Sequence, residues 1–280
     1  MRTVCIQYAP PMSPFDIGPS GLTEPLTRPT PAPRGIPAGS PDALKNRSAA
    51  ERRALFDRAL DSLWLAFQPI VSGRNPSDPP MAYEALARNA EPDTSDPRNL
   101  LRLAVSIGGV SDLARVVHRR AAEALRSDSS LSLFVNVDVE EMIGPLGEND
   151  DPLTEFAPRV VLEITERSPI SEMPEIRERA ADLRRLGFRF AIDDLGGGYA
   201  GLSSLALMDP EFVKIDQALI HRVDSDPVKE KIVGSLVSLT RQLGIGCIVE
   251  GVETEAERDA LLALEGDLMQ GFLFGRPRAL

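Results

Sequence analysis

Acidic side chains recur in this chain late in short runs of β-branched and aromatic residues. Glu84 lies in MAYEALAR, Glu163 in VVLEITE, Asp193 and Asp194 in RFAIDDLGGG and Glu250 in CIVEGVE, while Asn136 ends LFVN and Lys214 lies in FVKID. Oxygen ligands from Asp, Glu and Asn suit hard cations such as Mg²⁺ or Mn²⁺, and adjacent aspartates can serve two ions a short distance apart. Bringing so many carboxylates together without cations is costly, because two like charges about 4 Å apart repel by roughly 4 kcal/mol at an effective dielectric near 20. A two-metal site polarises a phosphoryl oxygen and lowers the pKa of a bound water towards neutrality, which is what phosphodiester hydrolysis requires. Lys214 is suited to orient that water or to stabilise developing charge.

Each of these residues also has a plain structural reading. Asp193-Asp194-Leu195-Gly196-Gly197-Gly198 is compatible with a turn or a helix cap, Glu84 with a strand residue paired to Arg88, and Glu163 with a solvent-facing strand position. Lys214 fits a solvated strand end, and Gln270, next to Gly271, fits a turn cap. Joint placement at equivalent positions of successive strands is what favours chemistry.

The elements that must position these residues are legible in the pattern beyond Ser48. Strand candidates are Leu65–Val71, Tyr83–Ala87, Leu133–Val137, Val160–Thr165, Arg189–Ile192, Phe212–Ile215, Gly246–Val249 and Met269–Phe274. Between them lie amphipathic stretches such as SDLARVVHRRAAEALRSD, SEMPEIRERAADLRRLG, PVKEKIVGSLVSLTRQLG and TEAERDALLALEG, several with a cap residue at the start and Gly at the end. Alternating strands and helices with eight strands indicate a (β/α)8 TIM barrel, whose active sites sit at the C-terminal ends of the strands. An open doubly wound sheet fits less well, since no Gly-rich nucleotide fingerprint follows the first strand.

The 280 residues carry a net charge of -11, which argues against broad binding to duplex nucleic acid or to an anionic membrane. With two cysteines, Cys5 and Cys247, the chain has no disulfide framework and no thiol zinc cluster. Neither a signal-like leader nor a membrane-length apolar run is seen, so a cytoplasmic location is expected. His118 and His221 are too few and too isolated for a His-based metal site, and each is expected on a helix surface. From Pro10 to Pro41 the composition is crowded with Pro, Gly, Ser and Thr, so residues 1–48 are expected to form a disordered arm and residues 49–280 one barrel domain.

The segment YEALAR, followed in order by FVNVD, LEITE, AIDDLGGGYAGLSSL, VKID, VEGVET and QGFLFGRP, resembles the EAL-domain cyclic di-GMP phosphodiesterases. The likeness spans about Ala49 to Leu280. It implies a modified barrel whose first strand is reversed, and hydrolysis of cyclic di-GMP to the linear dinucleotide pGpG with two Mg²⁺ or Mn²⁺ ions. It also implies metal ligation by Glu84, Asn136, Glu163, Asp193, Asp194 and Glu250, with Glu84, Asp194, Lys214 and Glu250 in catalysis. Arg88, Leu86, Gln270 and Glu253 would contact the substrate, Arg88 through a bidentate fork on a phosphate. Glu166 would anchor the loop Leu195–Leu202, which in the family links metal binding to a homodimer interface. Two family positions differ, Leu195 standing for a usual phenylalanine and Gly197 for a usual threonine or alanine. Non-catalytic cyclic di-GMP receptors of the same fold are the alternative; they typically lose metal ligands, which this chain keeps. Proton abstraction beside a carboxylate with Lys214 as base, or a two-carboxylate glycosidase, would explain some of the acids but not the ordered motifs.

Overall fold

A computed structural model describes residues 47–144, 146–147, 150–165, 175–197 and 201–280; the arm before residue 47, Glu166 and part of the loop after Asp194 lie outside the described residues. Eight strands close into a barrel in chain order: β1 (Trp64–Ser72), β2 (Ala82–Arg88), β3 (Leu133–Asn136), β4 (Val160–Thr165), β5 (Arg189–Leu195), β6 (Phe212–Ile215), β7 (Gly246–Val249) and β8 (Leu268–Met269). β1 runs antiparallel to both β2 and β8, and every other neighbouring pair is parallel. This is the modified TIM barrel with a reversed first strand.

The helices are α1 (Ala49–Asp61), α2 (Pro97–Ile107), α3 (Val110–Ser127), α4 (Val139–Ile143), α5 (Ile176–Leu186), α6 (Gly201–Met208), α7 (Gln217–Ile220), α8 (Pro227–Leu243) and α9 (Glu255–Ala263). Their ends follow local chemistry. Ser48 and Glu51 form a capping box on α1, and Thr254 and Glu257 form another on α9. Asp226 caps α8 ahead of Pro227, and Gly244 ends it in the left-handed conformation at φ 74.

Period-two alternation divides each strand between two cores. Outward residues such as Leu65, Phe67, Val135, Leu162, Phe190 and Val213 pack against Leu103, Leu125 and Leu183 of the helices. Inside the barrel, Ile70, Ala82, Phe134, Val161, Ala191 and Ile248 form an apolar plug with Phe212 and Leu268 against it. Each of the eight strands contributes one residue to this plug. It closes the floor beneath the mouth with side chains, so the barrel is a packed core rather than a pore.

Three expectations need correction. The last strand stops at Met269 rather than Phe274, because the chain then wraps around Val252: Val252 N donates to Gln270 O at 3.1 Å, Leu273 N to Val252 O at 3.1 Å and Phe274 N to Gly271 O at 3.1 Å. β5 continues past Ile192 through the two aspartates to Leu195. His118 is buried within α3, its Nδ1 lying 3.2 Å from Asp151 Oδ2, instead of on the helix surface. Among the described residues no helix is long and apolar enough to cross a membrane.

Candidate metal centre

The residue two positions nearer the mouth than each plug residue is polar on every strand. These are Gln68 (β1, counted backwards because the strand is reversed), Glu84, Asn136, Glu163, Asp193, Lys214, Glu250 at the end of β7, and Gln270 after β8. Four carboxylates, three amides and one ammonium therefore project into one space because a single alternation pattern runs around the barrel.

Asp194 joins them by a different device. Adjacent strand residues normally face opposite sides, yet the oxygens of Asp193, Asp194 and Glu250 come within 4.8 Å of one another. The β5–β6 register shifts between Ile192 and Leu195, so an extra residue is accommodated there, and Asp194 has φ 60. A bulge with a left-handed residue turns the second aspartate towards the same mouth as the first.

Lys214 stands at the centre and is fully buried. Its Nζ lies 2.5 Å from Glu250 Oε1, 2.8 Å from Glu163 Oε1, 3.2 Å from Glu84 Oε2 and 3.6 Å from Asp193 Oδ1, reaching carboxylates from β2, β4, β5 and β7. Asn136 Nδ2 bridges Glu84 Oε1 and Glu163 Oε2, each at 3.2 Å. Gln270 Nε2 donates to Glu84 Oε2 at 2.6 Å and to Gln68 Oε1 at 3.1 Å, while Gln68 Nε2 donates to Gly275 O at 3.1 Å.

Burial pushes Glu163, Glu250 and Asp193 above the usual carboxylate range, with Lys214 opposing the shift in each case. Burial also acts upward on Glu84, but Lys214 and the amides of Gln270 and Asn136 together hold it below its ordinary value. Lys214 itself is burdened by burial, yet the surrounding carboxylates raise its proton affinity well above normal. Among the described residues one ammonium stands with five carboxylates, counting Asp194, so these six groups carry a formal charge of minus four if all are ionised. Asp193 Oδ1 and Gln270 Oε1 are buried without a hydrogen-bond donor. An all-oxygen donor set with excess negative charge and unsatisfied buried oxygens suits hard divalent cations.

Other expected site residues fall around this group. Leu86 and Arg88 follow Glu84 at intervals of two on β2 and share its face, Leu86 half-buried and Arg88 donating to Ala87 O at 2.9 Å. Arg88 thus makes no direct pair with Glu84, and Glu163 is buried rather than solvent-facing. Glu253 is exposed, its backbone N–H donating to Glu257 Oε2 at 3.0 Å near the start of α9, and no contact ties its carboxylate to the ring around Lys214. Asp216 caps α7 through Ala218 N at 2.6 Å. Gln68 was not anticipated from the sequence: in an apolar run it reads as an ordinary strand residue, although counting back two from Ile70 on the reversed strand locates it.

A family model described as the EAL domain matches residues 50–277. The chain belongs to the EAL domain family. Among curated proteins it is 30% identical over 250 residues to the probable cyclic di-GMP phosphodiesterase PdeG of Escherichia coli strain K12, covering 84% of this chain and 49% of PdeG. The chain thus spans about half the length of that relative, and only 33% of the cyclic di-GMP phosphodiesterase PdeL of the same organism. Among solved structures it resembles the PaMucR phosphodiesterase in complex with c-di-GMP, with 28% identity and a TM-score of 0.72 over 81% of this chain and 97% of that one. It also resembles Klebsiella pneumoniae BlrP1 in a manganese and cyclic di-GMP complex, with 28% identity and a TM-score of 0.68, covering 78% of this chain and 56% of BlrP1.

Proposed function

We propose that residues 49–280 form a metal-dependent phosphodiesterase that hydrolyses cyclic di-GMP to linear pGpG. The observation that carries this reading is the surplus, among the described residues, of buried carboxylates over the ammonium of Lys214, together with the unsatisfied oxygens of Asp193 and Gln270. Similarity to a phosphodiesterase solved with c-di-GMP supports the substrate class, and that to BlrP1 solved with manganese supports the ion. Glu84, Asn136, Glu163, Asp193, Asp194 and Glu250 would hold two Mg²⁺ or Mn²⁺ ions. When bound, such ions polarise a phosphoryl oxygen and lower the pKa of a water.

The chain's own groups supply positioning and charge. Arg88, on the face of Glu84, grips a phosphate with its planar fork, and Leu86 offers apolar contact beside it. Lys214 offers a fixed positive charge beside the attacked phosphate, where negative charge develops, and its Glu partners keep it protonated. Gln68 and Asn136 lock the rotamers of Gln270 and Glu84, so the ring does not have to reorganise during reaction. A water oxygen bonds to phosphorus as the bond to the 3′ oxygen breaks; the leaving oxygen takes a proton and the product keeps a 5′ phosphate. Glu253 as a substrate contact, Glu166 as loop anchor and a homodimer through the loop after Asp194 belong to the same proposal.

The test is incubation of the purified protein with cyclic di-GMP and Mg²⁺ or Mn²⁺, with and without chelator, followed by nucleotide separation. Conversion to pGpG that stops on chelation is the expected result. Binding without conversion would make the protein a receptor, and no binding at all would end the assignment.

A further inference from the structure

The face of β1 that carries Gln68 continues above the carboxylates through Ala66 to Trp64. The β1–β2 register is unbroken from Ile70↔Ala82 to Trp64↔Arg88, so strand alternation keeps Trp64, Ala66, Gln68 and Ile70 on one side and Arg88, Leu86, Glu84 and Ala82 on the same side of the partner strand. That side is the barrel interior, since Gln68 and Glu84 both meet Gln270 there and Ile70 and Ala82 belong to the plug. Trp64 thus lies at the rim, roughly 13 Å along the strand from Gln68, directly across from Arg88. It is 44% exposed, whereas Ala66 below it is small and buried.

A large, partly exposed aromatic paired across two strands with an arginine, above a phosphoryl-transfer site, matches the needs of a purine attached to a phosphate. We propose that Trp64 is the stacking platform for one guanine of the cyclic dinucleotide, with Arg88 across the strand pair taking the adjoining phosphate. This rests on the functional reading above and adds a base-recognition residue outside the acidic motifs. Trp64 also borders an outer groove of about 440 Å³ with Leu65, Phe67 and Arg120, and a ring lodged there would not sense a nucleotide in the mouth.

Trp64 is the only tryptophan in the chain, so its emission reports on this position alone. Rapid mixing of the wild-type protein with cyclic di-GMP should quench that emission before turnover proceeds. Loss of base–aromatic stacking corresponds to roughly 5- to 150-fold in affinity, so Trp64→Ala should raise KM by that range while kcat moves far less. Trp64→Phe, which keeps a ring, should stay within about 5-fold of wild type, and Trp64→Leu, which keeps apolar bulk without a ring, replaces the alanine variant should the latter fail to fold. Either an emission unmoved at substrate concentrations well above KM, or a Trp64→Ala KM within about twofold of wild type, overturns the stacking role while leaving the phosphodiesterase reading intact. A wild-type protein that neither binds nor cleaves cyclic di-GMP overturns both.

Discussion

Replacing Lys214 by methionine removes the one cation that the described residues place among the buried carboxylates, while keeping an unbranched side chain of comparable length. Four carboxylate oxygens lie 2.5 to 3.6 Å from Nζ. At an effective dielectric near 20 each such contact is worth roughly 5 to 7 kcal/mol of gross Coulomb energy, much of it offset by the cost of burying the ammonium. Breaking a buried ion pair typically costs about 3–5 kcal/mol net. At roughly 2–4 °C per kcal/mol for a domain of this size, Lys214→Met should lower the melting temperature by about 6–20 °C in chelator.

The deficit should depend on pH. Glu163, Glu250 and Asp193 bind protons more tightly in the folded state than in the unfolded chain, so folded protein holds more protons, and stability falls as pH rises from the ordinary carboxylate range near 4.5 through the folded values. Folding raises the proton affinity of Lys214 as well, but in a higher window: its contribution is fully present below its ordinary value of 10.5 and so acts throughout the neutral range. Without it the carboxylates must protonate or repel, so the variant should fall further below wild type at pH 8 than at pH 5. Added Mn²⁺ should recover part of the loss, since a ligand at 100 times its Kd contributes about 2.7 kcal/mol. The assay is thermal unfolding followed by circular dichroism across pH 5–8, in chelator and in Mn²⁺. Equal melting temperatures and equal pH slopes for the two proteins in chelator would refute the role of Lys214 as the internal counter-charge.

Glu84→Ala should retain the far-ultraviolet circular dichroism of the barrel and lose turnover on the order of 10³-fold or more, because both Glu84 oxygens are engaged by Asn136, Gln270 and Lys214; a kcat close to wild type in the nucleotide assay would contradict the metal mechanism. Burial pushes Glu141 up to about 7, with Asp138 and Asp151 adding to the rise and His118 opposing it. Its folded value lies above the ordinary 4.5, so stability is lost as pH rises through about 7, and Glu141→Gln should be more stable than wild type at pH 8 by up to about 3 kcal/mol and nearly equal at pH 5. Melting curves at the two pH values decide it, an unchanged difference between them counting against the reading. A Cβ at Gly271 would lie 2.1 Å from Val252 O and 2.4 Å from Val252 N, backbone atoms that cannot swing aside, so Gly271→Ala should cost at least about 3 kcal/mol. A variant that melts with the wild-type protein would show that the wrap around Val252 gives way easily.

Much of the architecture can be read from the chain because it rests on local rules. Val160–Thr165, Phe212–Ile215 and Gly246–Val249 are bounded by turn residues and occur as strands with those limits. Ser48, Thr254 and Asp226 announce helices by capping chemistry that acts over three residues. The acids at strand ends are equally visible, since position in a strand is a matter of counting by two. Met269–Phe274 deceived the same rule, because its apolar residues serve a turn around Val252 and not a sheet edge.

The order of strands and helices and the list of acids thus follow from local rules along the chain. Tertiary structure decided which of those acids meet, because closure of the barrel brings β2, β4, β5 and β7 around Lys214 across separations of tens to more than a hundred residues. It decided that Asp194 joins Asp193 through a bulge, and that Gln68, unremarkable in its own segment, holds Gln270 from the opposite end of the chain. It also buried His118 beside Asp151, although a helix-surface position was expected of it. Periodicity assigns a residue to a face, but electrostatic partnership depends on distances that only the closed barrel sets.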